Sequence, residues 1–156
     1  MAENGAYIYV KSQQFYVNKK SYTSSLHRRT YLAEKYYPDA TQPHGNEVVD
    51  AVTLDEWAQC EGITYIDIIK LDLQGHELEA LRGATELLKS TVRLVYTEIG
   101  FVDLYENSCL LFQLEPFLRN IGFELYQIYN LKTGEDGQLI YGDAIFVNRN
   151  CVEVSP

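Results

Sequence analysis

Ile66-Asp67-Ile68-Ile69-Lys70-Leu71-Asp72-Leu73-Gln74-Gly75-His76-Glu77 is the stretch around which the rest of the chain is read. An apolar run carrying one Lys and one Asp ends at a Gly and opens a helix. The run is too short for a membrane span and lacks polar alternation over most of its length, which is the pattern of a strand covered on both faces of an α/β sheet. Burying Lys70 and Asp72 in such a strand would cost several kcal/mol unless they are paired or lie at its end. Asp72 falls at the carboxyl end, where open α/β sheets place their ligands. The spacing predicts a strand over about 65–73.

On the upstream side, Thr53 followed by Glu56 forms a capping box, with Val52 and Trp57 placed as a hydrophobic staple. A short helix is expected there, ended by Gly62. Further upstream, Tyr7-Ile8-Tyr9-Val10 and Phe15-Tyr16-Val17 read as short strands, and residues 21–50 read as an irregular loop. On the downstream side, Leu78, Leu81, Ala84, Leu87 and Leu88 make one helical stripe with Gly83 in mid-helix. A strand is expected over Val92 to Ile99. A second helical stripe runs from Leu110 to Ile121, where Pro116 predicts a kink or a later start, and Ser108 or Asn107 is expected as its cap. Phe123 to Tyr129 and Leu139 to Val147 flank the turn Thr133-Gly134-Glu135-Asp136-Gly137 as an antiparallel hairpin, with Gly142 marking a bulge or a close backbone approach.

The fold class is therefore α/β, with parallel strands joined by helical crossovers and a hairpin at the end. The 156 residues are read as a single domain, 1–156, with a core over 48–148 and short strands and an irregular loop over 1–47. Hydrophobic residues make up 46% of the chain, enough for a full core. No stretch is long and apolar enough for a membrane span, no leader pattern opens the chain, and the cysteines (Cys60, Cys109, Cys151) are scattered; a cytoplasmic protein with neither disulfides nor a membrane partner is expected. The histidines His27, His44 and His76 are also dispersed, so no metal site is expected from them. The net charge of −9 argues against nucleic acid as a partner. The N-terminal segment is an exception to that acidity: Lys11, Lys19, Lys20, Arg28, Arg29 and Lys35 make it basic, either as a solvated surface or as a lip for an anionic substrate or partner chain.

Asp72 ends one strand and Glu98 the next. On neighbouring parallel strands both carboxylates face the same crevice, where such a pair binds a polar ligand, takes a proton from a hydroxyl, or holds a metal. Either could instead cap nearby backbone amides. Gly75-His76-Glu77 opens a helix whose free amides suit an anion or polar group, with Glu77 alternatively a local cap and His76 a surface residue. Lys70 shares a strand face with Asp72 and reads as a structural ion-pair partner.

These residues resemble the FkbM family of S-adenosylmethionine-dependent methyltransferases. Thr53-Leu54-Asp55, the stretch Ile66 to Glu77, Leu81-Arg82-Gly83-Ala84 and Glu98 match its pattern at several points over about fifty residues, and Ser24-Ser25-Leu26 resembles its upstream serine pair. The resemblance runs over residues 6–148. It implies a class I (Rossmann-like) methyltransferase fold, S-adenosylmethionine as cofactor, and O-methylation of a small-molecule hydroxyl on a sugar, polyketide or other secondary metabolite. Under it, Asp72 and Glu98 are the catalytic candidates, Asp72, Gly75 and Glu77 the cofactor-binding ones, and Ser24, Ser25 and His76 the substrate contacts.

Residues 1–65 contain no Gly-rich strand-loop of the kind that opens that family. The chain is thus expected to hold roughly the fourth to seventh strands of a seven-stranded sheet. The strand ending at Asp72 then becomes an edge, to be covered by the N-terminal strands, by a second copy, or by the rest of a longer protein. A second function stays open beside the enzyme: a non-catalytic interaction or oligomerisation module built on the methyltransferase scaffold.

Overall fold

Two sheets organise the protein, which a computed structural model describes over residues 11–150. The smaller sheet pairs β1 (Lys11–Asn18) with β2 (Pro43–Ala51) in antiparallel register. Between them lie a single 3-10 turn, Ser21–Thr23, and the short helix α1 (Tyr31–Tyr36), which starts where the Thr30 hydroxyl accepts a hydrogen bond from the Leu32 amide. The expected loop over 21–50 is thus corrected, since its last third is a nine-residue strand. β2 is exposed along nearly all its length, so no inward-facing alternation betrays it in the sequence. Phe15 to Val17 falls within β1; Tyr7 to Val10 lies outside the described residues.

The capping box is present: Thr53 Oγ1 accepts from the Glu56 amide at 3.2 Å, and the Glu56 carboxylate accepts from the Thr53 amide at 3.3 Å. α2 (Leu54–Glu61) follows and ends at Gly62, in the left-handed conformation at φ 68°. The larger sheet has the order β3-β4-β6-β5, from β3 (Ile68–Leu71), β4 (Leu94–Gly100), β5 (Phe123–Thr133) and β6 (Leu139–Asn148). β3 and β4 are parallel, β4 and β6 antiparallel, and β5 and β6 pair antiparallel across their connecting turn. Gly142 sits where a Cβ would lie 2.8 Å from Leu131 Cδ2 and 3.1 Å from the Tyr129 carbonyl oxygen, beside the register shift between Tyr129 and Lys132. It is a close backbone approach, opposite an irregularity carried by the partner strand.

Three expectations need correction. β3 is four residues long and is not covered on both faces: Ile69 is buried, whereas Ile68 is 59% exposed and Lys70 is exposed with Nζ 5.5 Å above the Tyr96 ring. Among the described residues β3 pairs on one side only, with β4, and the β1–β2 sheet does not extend it. Lys70 therefore leans on an aromatic face and has no ion-pair partner among the described residues.

The single helix expected after Gly75 is two helices, α3 (Glu77–Arg82) and α4 (Thr85–Ser90), broken at Gly83-Ala84. α2 causes the break. The Asp55 amide donates to the Gly83 carbonyl at 2.9 Å, and the Asp55 carboxylate accepts from the Glu86 and Leu87 amides at 3.0 and 3.1 Å, opening α4 from outside. The third correction concerns α5 (Leu111–Asn120), which runs through Pro116 and has Leu110 rather than Ser108 or Asn107 as its N-cap. The Leu110 amide donates to the Gln113 side chain at 3.0 Å. Phe112, whose carbonyl would have been the partner of residue 116, is 70% exposed, so water can serve that turn.

The core lies between the β3–β6 sheet and helices α2 to α5. Leu81, Leu88, Val95, Leu114, Leu118 and Phe146 are wholly shielded within it. Each contributes on the order of 1.5–3 kcal/mol relative to exposure. Cys109 belongs to the same cluster, and burial pushes its thiol up to about 12. Among the described residues no helix is long and apolar enough to cross a membrane.

Candidate functional site

The loop from Asp72 to Glu77 joins β3 to α3 at the carboxyl end of the sheet, and its shape is set by two residues in the left-handed region, Gln74 at φ 52° and Gly75 at φ 99°. A Cβ on Gly75 would lie 2.7 Å from Ser108 Cβ, so only glycine fits. Glu77 closes the loop from inside. It is 3% exposed, and its Oε1 accepts from the Leu73 amide at 2.9 Å and the Gly75 amide at 3.3 Å. Desolvation raises its carboxyl above the usual range while these amide bonds pull it back down. Gly75 and Glu77 are thus built into the loop itself.

Gln74 links the two carboxylates of interest. Its Nε2 donates to Asp72 Oδ1 at 2.9 Å and lies 3.4 Å from Glu98 Oε1. Its Oε1 stands 3.0 Å from the Tyr105 hydroxyl, which also lies 2.8 Å from the Thr23 carbonyl; the single phenolic proton serves one of the two at a time. Asp72 is exposed and Glu98 partly buried. Desolvation, with the nearby charges of Asp72, Glu77 and Asp143, pushes the Glu98 carboxyl up to about 8. Glu98 is therefore protonated at neutral pH. The same surroundings raise the Tyr141 hydroxyl to about 12, burial being the first cause, so it stays neutral.

Ser24, Asp72 and His76 meet at a pocket of about 350 Å³ whose other walls are Phe15, Leu26, Val49 and Leu73. Ser25 lies beneath this pocket rather than in it. It is 1% exposed, its Oγ donates to the Gln74 carbonyl at 2.8 Å, and it accepts from the His27 amide at 3.0 Å. Ser24 Oγ accepts from the Asn18 amide at 3.0 Å. Of the basic N-terminal residues, Arg28 donates to the Tyr16 hydroxyl at 3.0 Å, Arg29 to the Thr41 carbonyl at 3.1 Å, and Lys35 pairs with Asp136.

The structure thus gathers Ser24, Asp72 and His76 at one pocket, ties Glu98 to Asp72 through Gln74, and sets Ser25, Gly75 and Glu77 behind them as support. Sequence reasoning missed Gln74 and Tyr105, which carry the bridge. It also missed that His27 and His76, read as dispersed, lie side by side with their ring nitrogens 3.0 Å apart. The one available signal was that His27 lies two residues after the serine pair, beyond Leu26.

Residues 3–125 match the family profile described as the methyltransferase FkbM domain. The chain belongs to the FkbM methyltransferase family. Within this FkbM domain the matched region takes in the β3–α3 loop and Glu98 and ends at Leu125, inside β5. The chain is 40% identical over 60 residues to the 2-O-methyltransferase NoeI of Sinorhizobium fredii (strain NBRC 101917 / NGR234), an overlap of 38% of this chain and 24% of that protein. The FkbM chain thus aligns with about a quarter of the curated relative's length. No solved structure matches it.

The cofactor that this family implies presents an amine, a carboxylate and ribose hydroxyls. Of the three cofactor candidates only Asp72 keeps free acceptor capacity, because Gly75 is packed on Ser108 and Glu77 is taken by two loop amides. Among the described residues, one polar contact, from Asp72, fits such a group.

Proposed function

We propose that this chain is a domain of an S-adenosylmethionine-dependent O-methyltransferase acting on a hydroxyl of a sugar or other secondary metabolite. The observation that carries the reading is the Asp72–Gln74–Glu98 bridge at the carboxyl ends of two adjacent parallel strands, in a chain of the FkbM family. The name of the relative, a 2-O-methyltransferase, supports a hydroxyl acceptor.

When bound, the cofactor supplies a methyl group activated on sulfur. Asp72 offers a carboxylate to a polar group in the crevice. Ser24 and His76 line the pocket of about 350 Å³ in which an acceptor would lie. Glu98 does not line that pocket and acts on it through the Gln74 bridge to Asp72; raised to about 8, it keeps its proton at neutral pH and becomes able to take one from the bridge as the pH approaches that value. Most of the acceleration comes from positioning the two reactants.

Calorimetric titration of the purified chain with S-adenosylmethionine and S-adenosylhomocysteine tests this. Saturable binding, weakened by Asp72→Ala, is expected. If neither compound binds, the chain alone is not an enzyme.

One observation favours a second reading, an interaction or oligomerisation module. β3 pairs on one side only among the described residues, and beside it runs a groove of about 600 Å³ lined by Leu54, Trp57, Ile69, Leu71, Leu73 and Ala84 among others. On this reading a second copy, or a further segment of a longer protein, covers the groove. Solution mass, measured with and without cofactor, separates the two readings: a stable dimer that binds no cofactor favours the module.

A further inference from the structure

His27 and His76 are 49 residues apart in the chain, yet His76 Nδ1 lies 3.0 Å from His27 Nε2. The rings are tilted by 46° with centroids 5.1 Å apart, so the contact runs through their nitrogens rather than by stacking. One buried residue fixes both. Ser25 accepts from the His27 amide and donates to the carbonyl of Gln74, two residues before His76. Glu79 lies three residues beyond His76, on the same face of α3. It pairs with Arg82 at 3.6 Å, an exposed pair of the kind that yields readily.

Burial lowers the affinity of both rings for protons. Glu79 opposes that effect at each ring, whereas His27 and Lys11 add to it at His76. A neutral imidazole has one lone pair to offer. Without a further group, one ring must spend its N–H on the other.

We infer that His27, His76 and Glu79 form a binding site for a divalent metal ion of borderline softness, zinc foremost. One ligand atom from each residue lies within 4.8 Å of the others. Two imidazoles and a carboxylate are a donor set that zinc takes, with metal–nitrogen bonds of about 2.0–2.1 Å. Two nitrogens on a tetrahedral ion stand about 3.3 Å apart at those bond lengths, so the rings need only part by a few tenths of an ångström from 3.0 Å. The fourth position is left to water or to a ligand from the groove that His76 and Glu79 both line. Lys11 lies near enough to His76 to weaken the affinity, and Arg82, 3.6 Å from Glu79 Oε1, competes with the ion for that carboxylate. The ion would clamp the segment after the serine pair to the start of α3. This inference does not depend on the methyltransferase reading.

The test uses the full chain stripped with a chelator, titrated with zinc chloride by calorimetry and with cobalt(II) chloride by absorption at pH 7.5. One ion per chain is expected, with visible cobalt bands of tetrahedral intensity and no thiolate charge-transfer band. His27→Gln, His76→Gln and Glu79→Gln should each weaken binding by about tenfold or more. His44→Gln, on exposed β2, should leave it unchanged. Circular dichroism confirms that each variant folds, and zinc should raise the melting temperature of the unaltered chain but not of His27→Gln. The inference is overturned by absent saturable binding, by binding that survives loss of both His27 and His76, or by a thiolate band.

Discussion

Glu77 Oε1 lies 2.9 Å from the Leu73 amide nitrogen, so a side chain from the first turn of α3 satisfies a backbone donor at the end of β3. The carboxylate is buried, and nothing else can replace its two amide bonds without moving the loop. Glu77→Ala should therefore lower the unfolding free energy by about 1–3 kcal/mol, read from urea denaturation. Glu77→Gln keeps an acceptor oxygen in place and should cost less. Equal losses in the two variants would mean that the charge, not the acceptor, holds the loop.

Gly75 meets two separate obstacles to substitution. Its φ of 99° disfavours any side chain, and a Cβ would press on Ser108 Cβ at 2.7 Å. Gly75→Ala should be destabilised by about 2 kcal/mol or more. Adding Ser108→Gly removes the contact but not the backbone strain, so it should restore only part of the loss in thermal melts.

Asp55 opens α4 from a neighbouring helix. Asp55→Ala removes the acceptor for the Glu86 and Leu87 amides and should cost about 1–2 kcal/mol, the range of lost N-caps. Amide exchange should quicken first at Glu86 and Leu87. Uniform quickening across the core would contradict this local role.

Glu98 makes stability depend on pH. Its carboxyl is raised in the folded chain to about 8, so between the ordinary carboxylate range and pH 8 the folded state holds a proton that the unfolded state has released. Its contribution is thus fully present at low pH and is lost as pH rises through that window. Glu98→Gln should flatten this decline, and the melting temperature of the variant relative to the unaltered chain should rise between pH 5 and pH 8. A gap that stays constant with pH would show that Glu98 is ionised throughout.

Much of the architecture was written in local signals. The capping box at Thr53-Glu56, the glycine after α2 and the hairpin around Gly134 and Gly137 are short-range chemistry, and they appear where the sequence predicts them. The misreadings came from partners that a single segment does not show. Leu78 to Leu88 carries one continuous apolar stripe, and only Asp55, some thirty residues upstream, divides it into two helices. Ile68 and Lys70 look like residues of a doubly covered strand, because the composition of a strand does not say whether a neighbour lies beside it.

The site follows the same rule. That Asp72 and Glu98 fall close together near the carboxyl ends of adjacent parallel strands was legible. Gln74 was not, because its role depends on a left-handed backbone turn that aims an amide between two carboxylates. The pairing of His27 with His76 was hidden for a similar reason, since it arises from a serine that bonds two distant loops.

Cys109 gives the molecule a built-in clock. Its thiol is shielded in the core and held at about 12, so in the folded state it is neither reachable nor ionised for alkylation. Cys60 is only half-buried, on α2. In a variant whose other cysteines are replaced by serine, the rate at which iodoacetamide modifies Cys109 counts openings of the core itself. A single-residue chemical readout would then report how often the α3–α5 layer comes away from the sheet, without any added probe.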